Sequence, residues 1–258
     1  MGNLSNIGRI FYGIAMAIMG FLTIFYHDFP YILIPPHRSW IDGLSIVAYV
    51  SGAFLLLAGV ATAFKKRPMT ISLLLGTVLL LVFCFYFVPY EFFVSPNYTR
   101  FGAWENAAKE LTLASGAFVI AGVFSTKNEN PFIRSLRKLI PLGVVVYSLT
   151  IISYGIDHFI AGKDAADYIP SWIPAHIFWI YFAGVALLGS GLAILLNIKR
   201  RLAATLLGTM IFIWVVILHI PKAIASPMDN QTGEVTSGCL ALAYCGIAFV
   251  IAGAAKKA

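Results

Sequence analysis

Charge is scarce in this 258-residue chain. Asp, Glu, Lys and Arg make up 11% of it, under half the roughly 25% of soluble domains, while 60% is hydrophobic. That balance excludes an ordinary soluble globular protein. Cysteine is scarce as well: Cys84, Cys239 and Cys245 form no C-x-x-C pair, which excludes a redox dithiol or a zinc knuckle of that pattern. Each lies in an apolar run, so all three are expected to be buried thiols acting as small hydrophobes. No H-E-x-x-H, Walker loop, nucleophile elbow, C-x-x-C-H or Rossmann fingerprint occurs, and no metal site is expected.

What is present are long apolar runs divided by Pro, Gly and charge. They predict eight helices, over about 7–26, 40–63, 69–88, 104–124, 140–156, 172–196, 202–220 and 233–254. The expected fold class is therefore all-α, a polytopic membrane protein. The first run ends at His27-Asp28 with no small-residue cleavage pattern, so it reads as a retained helix and not as a signal peptide.

The net charge of +7 is distributed like an orientation signal, not like a nucleic-acid stripe. With the N-terminus inside, Arg9, Lys65, Lys66, Arg67, Lys127, Arg134, Arg137, Lys138, Lys199, Arg200, Arg201, Lys256 and Lys257 are cytoplasmic, 13 of the 18 basic residues. Glu129 is the one acid on that side. Both termini are then expected to be cytoplasmic.

An internal repeat organises the chain. A shift of 132 residues aligns Ser39-Trp40-Ile41 with Ser171-Trp172-Ile173 and runs without a gap to Pro89 and Pro221, with 14 identities over 51 positions. Gly52 and Gly59 fall on Gly184 and Gly191, and Leu74-Leu75-Gly76-Thr77 falls on Leu206-Leu207-Gly208-Thr209. A small change of register aligns Ala117–Gly122 with Ala248–Gly253, and Phe29 with Phe159. The expected organisation is two four-helix units, residues 1–130 and 131–258. Four crossings are even, so the units form parallel bundles related by an axis along the membrane normal. The repeated glycines read as helix-packing positions.

Titratable groups concentrate on the expected outer face. His27-Asp28 stands opposite Asp157-His158 in the repeat, each near the end of a first helix. An imidazole beside a carboxylate can move protons, bind a metal or hydrogen-bond a quinone carbonyl; the same pair can also simply cap a chain reversal in water. In the fourth helix the apolar stretch Leu111–Phe124 is 14 residues, about 21 Å of helix against a core of about 30 Å. Glu110, Lys109 and Glu105 therefore enter the membrane. Glu105 and Lys109, at i and i+4, can pair on one face. The second half has Leu240-Ala241 at the corresponding place. Intramembrane ionisable groups are functional candidates, although such a pair can also snorkel to the interface. His219 lies near the outer end of the seventh helix. A dense set of aromatics at that level, including Trp104, Trp172 and Trp179, can form an interfacial belt or line the approach of a flat lipophile.

Asp157-His158-Phe159, Ile169-Pro170-Ser171-Trp172-Ile173-Pro174, then Tyr181, Gly184, Gly189 and Gly191, resemble the DoxX-like family of small four-helix bacterial membrane proteins. The first half carries a fainter version in His27-Asp28-Phe29, Pro35, Trp40, Gly52 and Gly59. Trp104-Glu105-Asn106 and Lys109-Glu110-Leu111 look like the opening of that family's last helix. The chain looks like two such units fused. The resemblance implies a bacterial inner-membrane location and a role as a membrane subunit of a quinone-linked oxidoreductase. A soluble redox protein or another membrane subunit is the implied partner, beside the lipid bilayer. Glu110, Lys109, His158, Asp157, His27 and Asp28 are the candidate catalytic residues, and His219, Trp172 and Trp104 the candidate quinone contacts. Two other readings stay open: a small-solute or ion transporter with its pathway between the repeats, and a non-catalytic scaffold recruiting a partner at Arg134, Arg137 and Lys138.

Overall fold

The computed structural model describes residues 2–30, 32–34, 44–94, 101–124, 130–162, 166–225 and 233–255. Several residues named from the sequence lie outside these: Pro35, Ser39, Trp40, Ile41, Lys127, Glu129, Lys256 and Lys257. Every element among the described residues is helical. Helix α1 is Asn3–Tyr26, α2 is Leu44–Ala63, and α3 is Pro68–Val82, running on through the π-turns Phe83–Phe87 and Tyr90–Val94. Then come α4 (Phe101–Gly122), the short α5 (Pro131–Leu136), α6 (Ile140–Ile160) and α7 (His176–Leu195). Helix α8 (Arg200–Trp214) continues through the π-turn Val215–His219 into Ile220–Ala225, and α9 is Glu234–Ala254.

Local chemistry sets the ends. Pro68 opens α3 at a position where a missing N–H costs nothing, after Arg67 in the left-handed region at φ 40°. Asn130 caps α5, its side-chain oxygen accepting from the Ile133 N–H at 2.8 Å, with Pro131 next. The last carbonyls of α2, on Thr62 and Ala63, accept from Arg9 Nη1, and the Ile194 carbonyl at the end of α7 accepts from Arg200 Nε at 2.9 Å. A cation at a helix C-terminus answers both the orphan carbonyls and the dipole.

Among the described residues, seven helices are long and apolar enough to cross a membrane: all of those named except α4 and α5, the span containing α6 beginning back at Pro131. The chain has the make-up of a multi-pass helical membrane protein. Helix α4 matches the others in length at 22 residues but carries Glu105, Lys109 and Glu110. Its position explains how it tolerates them. The long helices pack in a closed order, α2, α1, α9, α8, α7, α6, α4, α3 and back to α2, and α4 also touches α9 across the middle. Every residue from Thr112 to Ala121 and from Ala243 to Ala252 is buried, so both central helices are covered all round by protein. The outer helices show their apolar side chains instead, among them Val50, Leu57, Phe178 and Val185.

One apolar core runs through this ring, from Tyr12 and Met16 of α1 to Ile194 of α7 and Val250 of α9. Where backbones meet most closely, glycine is required. A Cβ on Gly20 would lie 2.6 Å from the Gly52 carbonyl oxygen, and one on Gly59 2.6 Å from that of Gly13. The thiols divide differently from expectation. Cys239 and Cys245 are buried, but Cys84, in the π-turn of α3, is exposed. An apolar run does not distinguish a core-facing position from a lipid-facing one.

Candidate functional site

Helix α6 carries a polar stripe inside an otherwise apolar span. Tyr147, Thr150, Tyr154 and His158 follow one another at three- and four-residue steps, which places them on one face. The Tyr147 hydroxyl donates to the Tyr244 carbonyl of α9 at 2.9 Å. Thr150 Oγ1 lies 2.7 Å from Thr112 Oγ1 of α4. The Tyr154 and Tyr244 rings stack at 5.9 Å with their hydroxyls 3.2 Å apart. His158 Nδ1 is 2.7 Å from the Tyr154 carbonyl. A carbonyl only accepts, so Nδ1 donates and Nε2 is the ring nitrogen left for another partner.

Tyr154 and His158 of this stripe line a cavity of about 380 Å³ between α6, α7, α8 and α9. Ile151, Ile180, Leu187, Met210 and Leu240 make its lining mainly apolar, and Trp179, Trp214 and Tyr168 add flat aromatic faces. Into it come Lys109 from α4, His158 from α6, and His219 from the π-turn that follows α8. A π-turn inserts an extra residue and re-aims the side chains after it, a device frequent at functional sites. His219 Nδ1 stands 3.9 Å from Glu234 Oε2, whose other oxygen accepts from the Tyr168 hydroxyl at 2.8 Å. Lys222 Nζ sits 3.2 Å over the centroid of the Tyr168 ring. Lys109 Nζ donates to Asn106 Oδ1 at 2.9 Å, with the carboxylates of Glu105 and Asp157 within electrostatic reach. The volume and the few convergent polar groups are those of a small-molecule pocket.

Of the residues picked out from the sequence, Lys109, His158 and His219 therefore meet in one cavity, with Asp157 beside Lys109. Glu110 does not line it. It is 0% exposed, and neither carboxyl oxygen has a hydrogen-bond partner; Tyr12 and Tyr244 are its electrostatic neighbours. His27 and Asp28 are also elsewhere. The His27 ring lies against Tyr49 of α2 at 5.1 Å, and Asp28 Oδ1 accepts from the Phe29 N–H at 2.7 Å. Trp104 meets Phe92 edge to face at 5.6 Å, away from the cavity. Trp172 is 69% exposed and lines a neighbouring groove, not the cavity itself. Among the described residues no group of three or more His, Cys, Asp and Glu side chains is placed to hold a metal.

Helix contacts bear on the expected pairing of His27-Asp28 with Asp157-His158. Two contacts of α1 and α6 recur at a spacing of 135 positions, where the expected pairing uses 130. Tyr12 donates to Leu113 O at 2.6 Å as Tyr147 donates to Tyr244 O, and Gly20 lies on Gly52 as Gly155 lies on Gly184. In that register His158 corresponds to Thr23 and His27 to Gly162.

Sequence reasoning missed Tyr154, Tyr168, Tyr244, Trp214 and Glu234. The hydroxyl-bearing steps Tyr147, Thr150, Tyr154 and His158 within one apolar span were the available signal. Residues 147–251 match the model of a domain of unknown function, DUF8561. All of the cavity lining except Ile32 and Lys109 falls within that stretch. No curated protein and no solved structure matches the chain.

Proposed function

We propose that this chain is a duplicated DoxX-like protein of a bacterial inner membrane. It holds a quinone in the cavity between α6, α7, α8 and α9 and presents it to a partner that carries the redox group. The single observation behind the reading is the meeting of Lys109, His158 and His219 in a mainly apolar, aromatic-walled pocket. Lys109 can donate to one carbonyl of the ring, while the lone pair of His158 Nε2 accepts from a quinol hydroxyl. Apolar and aromatic walls supply most of the binding, and the polar groups fix orientation.

Duplication is supported by backbone features that recur 132 residues apart. The π-turns Phe83–Phe87 and Val215–His219 are one such pair. Lys65 and Arg67, at φ 61° and 40°, are matched by Asn197 and Lys199, at 59° and 42°. The Phe118 ring abuts Gly76 as the Phe249 ring abuts Gly208. The closed order of helices also pairs α1 with α9 as it pairs α4 with α6, the exchange a two-fold axis along the membrane normal produces. A cytoplasmic N-terminus is supported by Arg9, Lys65, Lys66, Arg67, Arg134, Arg137, Lys138, Lys199, Arg200 and Arg201, which all belong to the turns and helix ends on one side. The transporter reading places its pathway between the repeats, and there α4 and α9 fill the middle with buried side chains.

Lipid extracted from the purified full chain should contain quinone in near-stoichiometric amount. Lys109→Gln should weaken binding of an added short-chain quinone about tenfold, the worth of one charge-assisted hydrogen bond of ~1.5 kcal/mol, and His158→Phe should weaken binding of the corresponding quinol about fivefold, the worth of one neutral hydrogen bond of ~1 kcal/mol. Unchanged affinity in both variants refutes this site.

A further inference from the structure

A second hollow, of about 600 Å³, lies on the lipid-facing side of α7 and α8. Its walls include Trp172, Phe182, Leu206 and Ile213, all exposed large apolar side chains. Thr209 provides its one side-chain hydroxyl. Three residues, Trp179, Met210 and Trp214, line both this groove and the inner cavity, so the two spaces are neighbours that share those side chains as a wall. The inner space collects Lys109, His158 and His219; the outer one is almost wholly hydrocarbon and aromatic. Polarity therefore falls steadily from the interior to the lipid side.

Resting on the reading above, we infer that the groove between α7 and α8 holds the hydrocarbon tail of the quinone and is the route by which it enters from the bilayer. The ligand is thus a ring with one long apolar tail, not a tail-less ring arriving from water. The wall of Trp179, Met210 and Trp214 shared by groove and cavity carries this assignment, because a tail passing those side chains from a head seated among Lys109, His158 and His219 reaches an apolar space on the lipid side. A two-chain phospholipid fits less well. Its second chain needs a second groove joined to the cavity, and its charged, hydrated phosphate suits poorly a pocket whose walls are mainly apolar.

The groove is separable from the head site by experiment. Thr209 is exposed on α8 and touches no ligand-orienting group named above, so Thr209→Phe fills the groove while leaving the cavity intact. Purified full-length protein in nanodiscs is titrated with decyl-benzoquinone and with the same ring lacking the decyl chain, both followed by quenching of tryptophan fluorescence. The decyl compound should bind wild type at least tenfold tighter, consistent with burial of several methylenes. Thr209→Phe should erase that advantage and leave the affinity for the tail-less ring within twofold. As an independent check, a decyl chain brominated at its end should quench wild type more than the unbrominated chain does, and Trp172→Phe should remove part of the excess.

A tail-less ring that binds as tightly as the decyl compound overturns the inference and leaves the cavity reading standing. A tail advantage that survives Thr209→Phe also overturns it, as does co-purified phospholipid displaced by that variant with no change in decyl-benzoquinone affinity. Failure of both compounds to bind wild type overturns both readings.

Discussion

The carboxyl of Glu110 offers the sharpest test of the packing argument. It is fully buried between α4, α1 and α9, and both oxygens lack a hydrogen-bond partner. Burying a polar group without a partner costs about 1–3 kcal/mol, and the protein bears that cost wherever it is folded. Methionine has the same unbranched length and no such group, and it adapts to irregular surroundings. Glu110→Met should therefore stabilise the protein by about 1–3 kcal/mol. At about 2–4 °C per kcal/mol for a chain of this size, its apparent Tm should rise by about 2–12 °C. The molecule supplies its own reporter. Cys239 and Cys245 are buried and Cys84 is exposed, so in a Cys84→Ala background a thiol-reactive maleimide dye reads unfolding directly. A fall of several degrees in Glu110→Met would refute the reasoning, because it would mean that the carboxyl has a stabilising partner. If the rise occurs, Glu110 is retained against stability, the pattern expected of a group kept for function.

Three further outcomes check other parts of the structure. Gly20→Ala should lower the apparent Tm by several degrees in the same dye assay. Its Cβ meets the Leu56 nitrogen and lies 2.6 Å from the Gly52 carbonyl oxygen, and overpacking of this kind costs about 1–3 kcal/mol; a Tm within 1 °C of wild type (roughly 0.3 kcal/mol) would contradict the α1–α2 contact. Arg9→Gln should destabilise by about 1.5–3 kcal/mol, since the α2 carbonyls of Thr62 and Ala63 lose a charged donor. In the Cys84→Ala background, Lys66→Cys and Lys199→Cys should both be shielded from an impermeant maleimide added outside intact cells and both be labelled after lysis; labelling of one and not the other before lysis would break the parallel arrangement of the repeats.

How much of this could be read from the sequence follows from which forces leave a local trace. The helices were legible because lipid demands long apolar runs, and the expected ends fall close to the observed ones at Tyr26, Ala63, Ile140 and Ala254. The importance of α4 was legible for the opposite reason, since its apolar stretch is too short. What could not be read was the direction in which each side chain points. Lys109 and Glu110 are adjacent, yet one lines a cavity and the other is sealed in the core, because successive helical residues point about 100° apart and only the neighbours decide what each meets. Cys84 and Cys245 look alike in sequence for the same reason. The π-turn at Val215–His219 left no trace in an even apolar pattern, although it is the element that carries His219. Trp104 and Trp172 shared a level with the cavity without sharing a face with it.

The central place of α4 joins these observations into one account. A helix bearing Glu105, Lys109 and Glu110 is poorly suited to face lipid, and a ring of helices with two members meeting in the middle gives it a position sheltered by protein. Helix α9 has one acid, Glu234, in its first turn and an apolar span after it, and occupies the same kind of central place without need of shelter. The two central helices thus differ, one charged and the other apolar. The cavity exploits both, since its walls come almost entirely from residues 147–251 and its one lysine comes from α4. Residues 131–258 alone would therefore form the apolar part of the pocket and lack its lysine. This dependence on α4 ties Lys109 to the cavity more closely than its sequence neighbour Glu110.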